Sequence, residues 1–251
     1  MTSPLSEIAE HDETSVRIRG RDLVTELLGK VTFTELMLLQ LTGRMPAARD
    51  VRVLDGCMVV LMEHGITPSV IASRLIYDSA PEALQGAIAA GICGVGSKFI
   101  GTMEGAAQLI GEVAAAADPA AHATRIVRDH RAARRIIPGF GHPSHRPDDP
   151  RTEPLLALLD GSEHDGRHIA ALRLLSEKVD AEYGRHITIN ATGGVAAALL
   201  EIGLPIEIMR GLAAVSRSAG LVGHIFEERR KPSAMKLWAV AKDLYDAPAE
   251  L

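Results

Sequence analysis

The chain has 251 residues, of which 47% are hydrophobic and 24% charged, and this is an ordinary composition for a globular protein with a sizeable core. Its net charge of -5 argues against nucleic acid as a partner. The polar start of the sequence lacks a signal-peptide pattern, and the apolar runs are too short to cross a membrane, so we expect a cytoplasmic protein that does not bind membranes. Aromatic residues make up only 3%, so the core must consist of Ala, Leu, Ile and Val, which favours helices.

The first part of the sequence predicts an extended segment followed by helices. Residues 1–14 are polar and acidic, as in a loose arm, and residues 15–23 alternate apolar and basic side chains, as in a short strand. The pattern then becomes helical, with Thr34 as a candidate N-cap and Gly43 as a helix stop. The glycine-rich stretch 81–101 is typical of tightly packed helices, of close approach to a neighbouring chain, or of a core helix broken by glycine.

The second half of the sequence continues the helical pattern. Two helices are broken at Gly161 and Gly166, a β-like Ile-Thr-Ile segment precedes an alanine-rich helix, and a long amphipathic helix begins at Ile206. The residues from Lys231 onward are interpreted as a tail. The periodicity therefore predicts about ten helices and negligible sheet, which is an all-α fold.

The segment 135–151, RIIPGFGHPSHRPDDPR, is dense in proline, glycine, histidine and arginine. Gly139 and Gly141 permit a positive φ or close contact with a ligand, and the prolines restrict the loop. The loop therefore presents His142 rigidly, as catalytic groups on loops often are. A lone loop histidine is usually a surface residue, but this surrounding pattern favours a functional one.

Two arginines of the same segment suggest that it binds anions. The guanidinium groups of Arg146 and Arg151 suit bidentate binding of a carboxylate or a phosphate. The alternative is an ordinary solvated charge cluster in which Asp148 and Asp149 pair with these arginines. The residues alone favour neither interpretation.

Five segments of the sequence carry a family resemblance, in this order: IRGRDLVTELLGKVTFTELMLLQLTGRMP, LMEHGITPSVIASRL, GVGSKFIGTMEGAAQLI, PGFGHPSHRPDDPR and SRSAGLVGHIFEE. Together they resemble the citrate synthase superfamily and, within it, the short citryl-CoA lyase branch. The third segment also resembles the lyase module of ATP-citrate lyase, and the fourth resembles the glycine-phenylalanine-glycine-histidine loop of the lyase branch. The resemblance covers nearly the whole chain.

The resemblance implies a citrate synthase-like all-α fold with two domains. Residues 1–104 and 205–251 would form the large helical domain, and residues 105–204 would form a small helical domain inserted into it. The working unit would be a homodimer.

The resemblance also implies which residues bind the substrate. His64 and His142 match the histidines that contact the carbonyl and hydroxyl side of oxaloacetate. Arg151 and Arg217 match arginines that bind its carboxylates, and Arg230 or the arginine before it would add a contact across the dimer.

Coenzyme A is implied as part of a thioester substrate, and no covalently bound cofactor is expected. Arg146 matches a residue near the CoA phosphate. The backbone of Pro138, Gly139, Phe140 and Gly141 matches the turn that reads the adenine.

Two positions depart from the citrate synthases. Glu104 stands where they have the thioester-polarising histidine, and an acidic residue there is usual in the lyase branch. Thr192 stands where the family has the aspartate that exchanges the methyl proton of the acetyl group. A threonine hydroxyl has no useful acidity at neutral pH, so we expect weak enolisation of acetyl-CoA unless Glu104 takes over the proton transfer.

Three functions therefore remain open. The first is a citryl-CoA lyase-like enzyme that cleaves or forms the C–C bond of a 3-hydroxy-3-carboxyacyl-CoA, giving an acyl-CoA such as acetyl-CoA and a 2-oxo acid such as oxaloacetate. The second is an enzyme of the same fold that condenses or hydrolyses a different CoA thioester, because Gly193 and Gly194 beside Thr192 would leave extra room. The third is a non-catalytic protein that binds a CoA ester or a dicarboxylate.

The cysteines and the remaining histidines receive structural interpretations. Cys57 and Cys93 have apolar neighbours and are expected to be buried free thiols. His224 is expected to pack or hydrogen-bond near the active cleft, and His145 to lie at its rim. No Cys/His grouping has metal-ligand spacing, so we predict no metal. Four histidines lie in polar, surface-like stretches, namely His122, His130, His164 and His168.

Overall fold

A computed structural model describes residues 6–96, 101–161 and 164–246 of the chain. Three sequence-based predictions fall partly outside these ranges. They concern the first five residues of the N-terminal arm, residues 97–100 of the motif GVGSKFIGTMEGAAQLI, and the last residues of the predicted tail.

The N-terminal segment forms a small antiparallel sheet. Its strands are β1 (Ala9–His11), β2 (Val16–Ile18) and β3 (Arg21–Asp22), in the order β1-β2-β3. The predicted strand is confirmed, whereas the prediction of a wholly loose arm is wrong, because the arm supplies β1. Asp12 closes the turn between β1 and β2 by accepting backbone hydrogen bonds from the two residues that precede β2.

Helices are the main regular structure in the rest of the described chain, which confirms the all-α prediction. The prediction that the residues from Lys231 onward are a tail is wrong, because they include the final helix. None of the described helices is both long and apolar enough to cross a membrane. The α-helices are α1 (Phe33–Thr42), α2 (Ala48–Met62), α3 (Pro68–Ser79), α4 (Leu84–Cys93), α5 (Gly101–Ala115), α6 (Pro119–Ala132), α7 (Thr152–Leu156), α8 (Arg167–Tyr183), α9 (Ala191–Glu201), α10 (Ile206–Glu228) and α11 (Ala234–Asp246).

The N-cap of helix α1 lies two residues earlier than predicted. Thr32, and not Thr34, is the N-cap: its hydroxyl accepts the backbone N–H of Glu35 at 3.1 Å, and the Glu35 carboxylate accepts the N–H of Thr32 at 2.6 Å. Thr34 is buried inside the helix and donates to Asp55 of α2. Gly43 ends α1 in the left-handed conformation, as predicted.

The alanine-rich helix α9 forms the centre of the described structure. Its residues 195–199 are fully buried, and it packs against α2, α5, α7 and α8. One continuous buried cluster runs from Leu38 in α1 to Ala213 in α10. This cluster includes residues on both sides of the predicted boundaries of segment 105–204, and those boundaries remain a prediction.

Two predictions of burial are corrected by the packing. Cys93, at the end of α4, is exposed, whereas Cys57 in α2 is buried as predicted. His168, at the start of α8, is buried rather than superficial, and its backbone N–H donates to the Glu201 carboxylate at 2.7 Å. Glu201 is itself buried, so this carboxylate stabilises the N-terminus of α8, where backbone N–H groups lack helical partners.

Candidate active site

Three histidines from two distant parts of the chain meet at one place. His64 follows the end of α2, and His142 and His145 lie on the loop between α6 and α7. The ring centroids of His64 and His142 are 5.4 Å apart, and those of His142 and His145 are 4.2 Å apart in a stacked arrangement. His64 and His142 were predicted to share the site. His145 was expected only at its rim, and no sequence spacing signals its stacking on His142.

The backbone of the loop is fixed by its glycines, as the sequence predicts. Gly139 has a φ of 89° and Gly141 a φ of 81°, a conformation that favours glycine. The Gly139 carbonyl accepts the N–H of Asn190 at 3.0 Å, and the Gly141 N–H donates to the Thr188 carbonyl at 2.7 Å. The loop is therefore attached to the segment that leads into α9, which holds His142 in place.

The loop also determines which nitrogen of His142 carries the proton. Its Nδ1 accepts two backbone N–H groups, from Ser144 at 3.1 Å and from His145 at 2.9 Å. The proton of the neutral ring is therefore on Nε2. Burial lowers the pKa of His142 and the neighbouring His145 lowers it further, so the ring is neutral near pH 7. A neutral Nε2–H can donate a hydrogen bond to a substrate oxygen.

His64 has a similar electrostatic environment. Burial lowers its pKa, and the positive charge of Arg151 lowers the pKa further. Its Nδ1 lies 3.5 Å from Nη1 of Arg151, which can only donate. This contact leaves the Nε2–H of His64 as a second neutral donor beside His142.

Arg151 is oriented by the buried carboxylate of Asp149. Nε and Nη2 of Arg151 donate to the two carboxylate oxygens at 2.9 Å and 2.8 Å, and the backbone N–H of Ala191 donates to the same carboxylate at 3.0 Å. Burial raises the pKa of Asp149, but the hydrogen bonds and the charge of Arg151 lower it more, to about 2. The predicted charge cluster therefore exists for this pair, and it aims the remaining Nη1 of Arg151 at His64.

Arg217 of α10 carries a buried positive charge. It is only 9% exposed, and its Nε and Nη1 have no hydrogen-bond partner among the described residues. Burial lowers its pKa and the carboxylate of Glu63 offsets part of that effect. Its charge also lowers the pKa of His64, so the two side chains are within electrostatic reach. Because unpaired buried donors are costly, Arg217 is suited to an anionic ligand.

The three imidazoles also form the one group among the described residues whose geometry could hold a metal ion, with ligand atoms within 4.8 Å of one another. The adjacent positive charges of Arg151 and Arg217 oppose a divalent cation and favour an anion. That this group binds no metal stays a prediction.

Residue 192, at the start of α9, is a threonine and carries no carboxylate. Thr192 donates to Oδ1 of Asn190 at 2.6 Å, and Thr102 of α5 lies 3.5 Å from the Thr192 hydroxyl. The extra room expected beside Thr192 is not there. A Cβ on Gly193 would lie 2.6 Å from the Gly139 carbonyl oxygen, and one on Gly194 would lie 3.1 Å from the side chain of Thr152.

Glu104, on α5, forms an ion pair with Arg210 of α10. Its side chain is about a quarter exposed. Glu104 would have to release Arg210 before taking the predicted role in proton transfer.

The predicted CoA-binding and dimer residues lie outside the histidine cluster. Arg146 is exposed next to His145, and Pro138 packs its ring close to Gly105 of α5. Phe140 buries its side chain and bridges to Ile189, so only its backbone is available to a ligand. The guanidinium group of Arg230 lies 4.6 Å from the centroid of the Phe226 ring on the exposed side of α10.

This fold and this cluster define a class: an all-helical protein with neutral histidine donors and a buried arginine arranged around a place for a small anion. The model of the family described as "Citrate synthase, C-terminal domain" matches residues 30–238. The chain belongs to this family.

Solved structures agree with this assignment. A citryl-CoA lyase from Hydrogenobacter thermophilus is 30% identical, with a TM-score of 0.80, over 89% of this chain and 86% of that one. An ATP citrate lyase from Methanothrix soehngenii in complex with citrate and coenzyme A is 19% identical, with a TM-score of 0.80, over 100% of this chain and 41% of that one. At that identity the second structure shows the fold alone.

Curated relatives are more distant and longer. "Probable ATP-citrate synthase subunit 1" of Schizosaccharomyces pombe is 24% identical over 78% of this chain and 34% of its own length. "Putative citrate synthase 2" of Mycobacterium tuberculosis is 26% identical over 76% of this chain and 52% of its own length. The chain thus spans only part of the length of these relatives.

Proposed function

We propose that the protein is a citryl-CoA lyase-like enzyme. It would cleave or form the C–C bond of a 3-hydroxy-3-carboxyacyl-CoA, with an acyl-CoA and a 2-oxo acid on the other side of the reaction. The observation that carries the proposal is the arrangement of two neutral imidazoles, His64 and His142, beside Arg151 and the unpaired guanidinium of Arg217. The 30% identity to a citryl-CoA lyase supports the lyase reading.

The 2-oxo acid binds as a dianion in this proposal. The two arginines take its carboxylates, since each guanidinium offers donors in a planar fork. Arg151 is already oriented by Asp149, and Arg217 replaces missing hydrogen bonds when the anion binds. Both effects reduce the cost of ordering the site around the ligand.

The two histidines act at the oxygen that is a keto group in one direction and a hydroxyl group in the other. In cleavage the Glu104 carboxylate, once released from Arg210, is the proposed acceptor of the hydroxyl proton. The oxygen becomes the carbonyl as the C–C bond breaks, and the electron pair of that bond passes to the α-carbon of the thioester. The Nε2–H groups of His64 and His142 donate to the oxygen and stabilise the negative charge that develops on it. The protonated Glu104 then gives its proton to the α-carbon, because Thr192 cannot supply one.

Coenzyme A enters as the thioester part of the substrate, and no covalently bound cofactor is proposed. Arg146 binds a CoA phosphate, and the backbone of Pro138, Gly139, Phe140 and Gly141 reads the adenine. The positive φ of both glycines exposes backbone groups that residues with a Cβ would cover. The proposed location is the cytoplasm.

We further propose that a second copy of this chain covers the outer faces of α10 and α11. These faces expose large apolar side chains, among them Phe226 at 56%, Trp238 at 61% and Leu244 at 74%. Exposed apolar patches of this kind mark interaction sites. Arg230, just beyond the end of α10, places its guanidinium over the exposed ring of Phe226, which fits a contact across a dimer. The division into domains 1–104 with 205–251, and 105–204, belongs to the same proposal.

One observation favours a second candidate, an enzyme that condenses or hydrolyses a different CoA thioester. The Thr192 hydroxyl is committed to Asn190, so the carbanion step of acetyl-CoA chemistry lacks its usual carboxylate. A third candidate, a non-catalytic protein that binds CoA esters or dicarboxylates, requires only the arginines.

The test is to mix purified protein with citryl-CoA and to follow oxaloacetate release for the wild type, His142→Ala and Thr192→Asp. Cleavage by the wild type that is lost in His142→Ala supports the lyase. An inert wild type with an active Thr192→Asp variant supports the second candidate. If all three proteins are inert but bind oxaloacetate, the third candidate stands.

A further inference from the structure

One face of α10 carries three polar residues and a glycine. Arg217, Gly220, His224 and Glu228 follow each other at spacings of three or four residues, which places them on one helix face. Gly220 lets this face approach the end of α2, because a Cβ there would lie 2.2 Å from the Met62 carbonyl oxygen. This face therefore joins Arg217 to a buried polar network about two and three turns further along, at His224 and Glu228.

Glu63 is the point where this network meets the active site. One oxygen of its carboxylate accepts the backbone N–H groups of His64 at 2.8 Å and of Gly65 at 2.6 Å. The other oxygen lies 2.8 Å from Nε2 of His224, within hydrogen-bonding distance although the N–H direction is not ideal. The carboxylate of Glu63 thus fixes the main chain that carries a substrate-binding histidine.

Glu63 also carries charge where the site needs it. Burial raises its pKa, but the contact with His224 and the backbone hydrogen bonds lower it more, so Glu63 is a carboxylate at neutral pH. Its negative charge is the one that offsets the burial of Arg217. The side chain is about half exposed, so it needs a partner to keep one position.

His224 is that partner, and its ring is itself oriented. Its Nδ1 lies 2.7 Å from Nη2 of Arg74, which can only donate, so the proton of the neutral ring is on Nε2, the nitrogen that lies 2.8 Å from the Glu63 carboxylate. Arg74 is only 2% exposed and is held by Glu227 and Glu228 of the same helix end. Glu228 in turn accepts backbone N–H groups at the start of α11.

We propose that His224 and Glu63 are positioning residues for the anion site. His224, oriented by Arg74, holds the Glu63 carboxylate against the backbone of His64 and beside Arg217. Neither residue contacts the substrate in this role. The effect on ligand binding rests on the proposed function, whereas the effect on the backbone of His64 does not.

The experiment compares His224→Ala and His224→Gln with a matched control, His122→Ala. Glutamine keeps a donor near the position of Nε2, and alanine keeps none. Like His224, His122 lies between an arginine and a glutamate. Its Nδ1 is 2.9 Å from Arg125 and its Nε2 is 3.6 Å from Glu112. Two quantities are measured on the full chain: hydrogen–deuterium exchange of the amides of His64 and Gly65, and the Kd for oxaloacetate by calorimetry.

We expect His224→Ala to speed the exchange of both amides by about 10-fold or more and to weaken oxaloacetate binding by about 10-fold, since the close polar contact with the Glu63 carboxylate is lost. His224→Gln should restore most of both, and His122→Ala should change neither. Melting temperatures identify any variant that merely fails to fold, in which case Glu63→Ala provides the same comparison with the acceptor removed.

Unchanged amide exchange in both His224→Ala and Glu63→Ala would overturn the proposal. It would also be overturned if folded His224→Gln were as impaired as His224→Ala. If faster exchange in His224→Ala accompanies a wild type that does not bind oxaloacetate, the positioning role stands and the proposed function fails.

Discussion

Gly193 at the start of α9 lies so close to Gly139 that a Cβ on it would sit 2.6 Å from the Gly139 carbonyl oxygen. The same carbonyl accepts the N–H of Asn190. The loop that carries His142 and the start of α9 therefore hold each other by main-chain contacts. The active-site loop has no freedom to move away from α9 without breaking them.

The first prediction follows from this contact. Gly193→Ala should destabilise the protein by about 1–3 kcal/mol, because overpacking at a main-chain contact forces backbone shifts. Cleavage of citryl-CoA should fall with it, since the loop of His142 moves. Urea unfolding and oxaloacetate release measure the two effects. The control is Gly111→Ala in α5, where no atom lies within 4 Å of the new Cβ, and it should stabilise by about 0.5–1 kcal/mol. Equal stability of Gly193→Ala and the wild type would contradict the prediction.

The second prediction concerns acid and Asp149. Its pKa of about 2 lies below the unfolded value near 3.9, so the unfolded chain binds the proton more readily. The stabilisation is complete above about pH 4 and is lost as the pH falls toward 2, amounting to about 2 kcal/mol. The difference in unfolding free energy between the wild type and Asp149→Asn, measured across that window, should shrink as the pH falls. A difference that does not vary with pH would exclude this origin.

The third prediction concerns the two neutral histidines. Since His64 and His142 have lowered pKa values, the acid limb of kcat/KM should lie below the ordinary histidine value of about 6.5. The positive charge of His145 lowers the pKa of His142, so His145→Ala should move the limb to higher pH. The same lowered pKa values reduce the stability of the protein in acid. The unfolded chain binds these protons more tightly than the folded protein does, so the free energy of unfolding decreases as the pH falls through 6.5.

Proton titrations of the histidine rings by NMR, alongside pH–rate profiles, measure this third effect. The exposed His11 of β1 provides the control, and His11→Ala should leave the limb in place. An acid limb at or above pH 7 in the wild type would refute the neutral-donor assignment.

The fourth prediction separates binding from stability at Arg217. Arg217→Gln removes a buried charge with two unpaired N–H groups, so the melting temperature should stay the same or rise. Oxaloacetate binding should weaken about 10- to 100-fold, because a charged donor to the carboxylate is lost. Differential scanning calorimetry and isothermal titration calorimetry give the two numbers. Arg173→Gln, at an exposed pair with Glu153, is the control and should change neither much. A large loss of stability in Arg217→Gln would mean that the arginine is structural.

The fifth prediction tests the proposed second copy. Trp238→Glu places a charge on the apolar outer face of α11, so a dimer that buries this face should dissociate at micromolar concentration. Sedimentation velocity measures the change. Val24→Glu, an equally exposed apolar residue near the N-terminal sheet, is the control and should leave the mass unchanged. A wild type that sediments as a monomer would contradict the proposed dimer.

Much of the fold follows from local sequence signals. Helix stops such as Gly43 and loop glycines such as Gly139 and Gly141 adopt the left-handed backbone that their lack of a side chain permits. The final helix α11 is not signalled by a buried apolar face, because it exposes most of its apolar side chains. The cap at Thr32 has a local signal after all, because Thr32 and Glu35 have the spacing of a capping box and form its two reciprocal hydrogen bonds.

The candidate site also contains residues that the sequence predicts and partners that it does not. Local chemistry and family resemblance pointed to His64, His142, Arg151 and Arg217, and these residues do lie together or within electrostatic reach. Partners brought in by tertiary packing carry no local signal. The Glu104–Arg210 pair joins residues 106 positions apart, and the packing of Gly193 on Gly139 removed space that the sequence had suggested.

The two backbone donors to His142 have a consequence for how this loop can change over time. Because Ser144 and His145 hold Nδ1 through their main chain, replacing their side chains leaves the proton on Nε2. Inserting or deleting one residue between positions 142 and 145 would remove one or both donors and free the ring to take the other tautomer. The loop should therefore tolerate changes of residue type at these positions far better than changes of length.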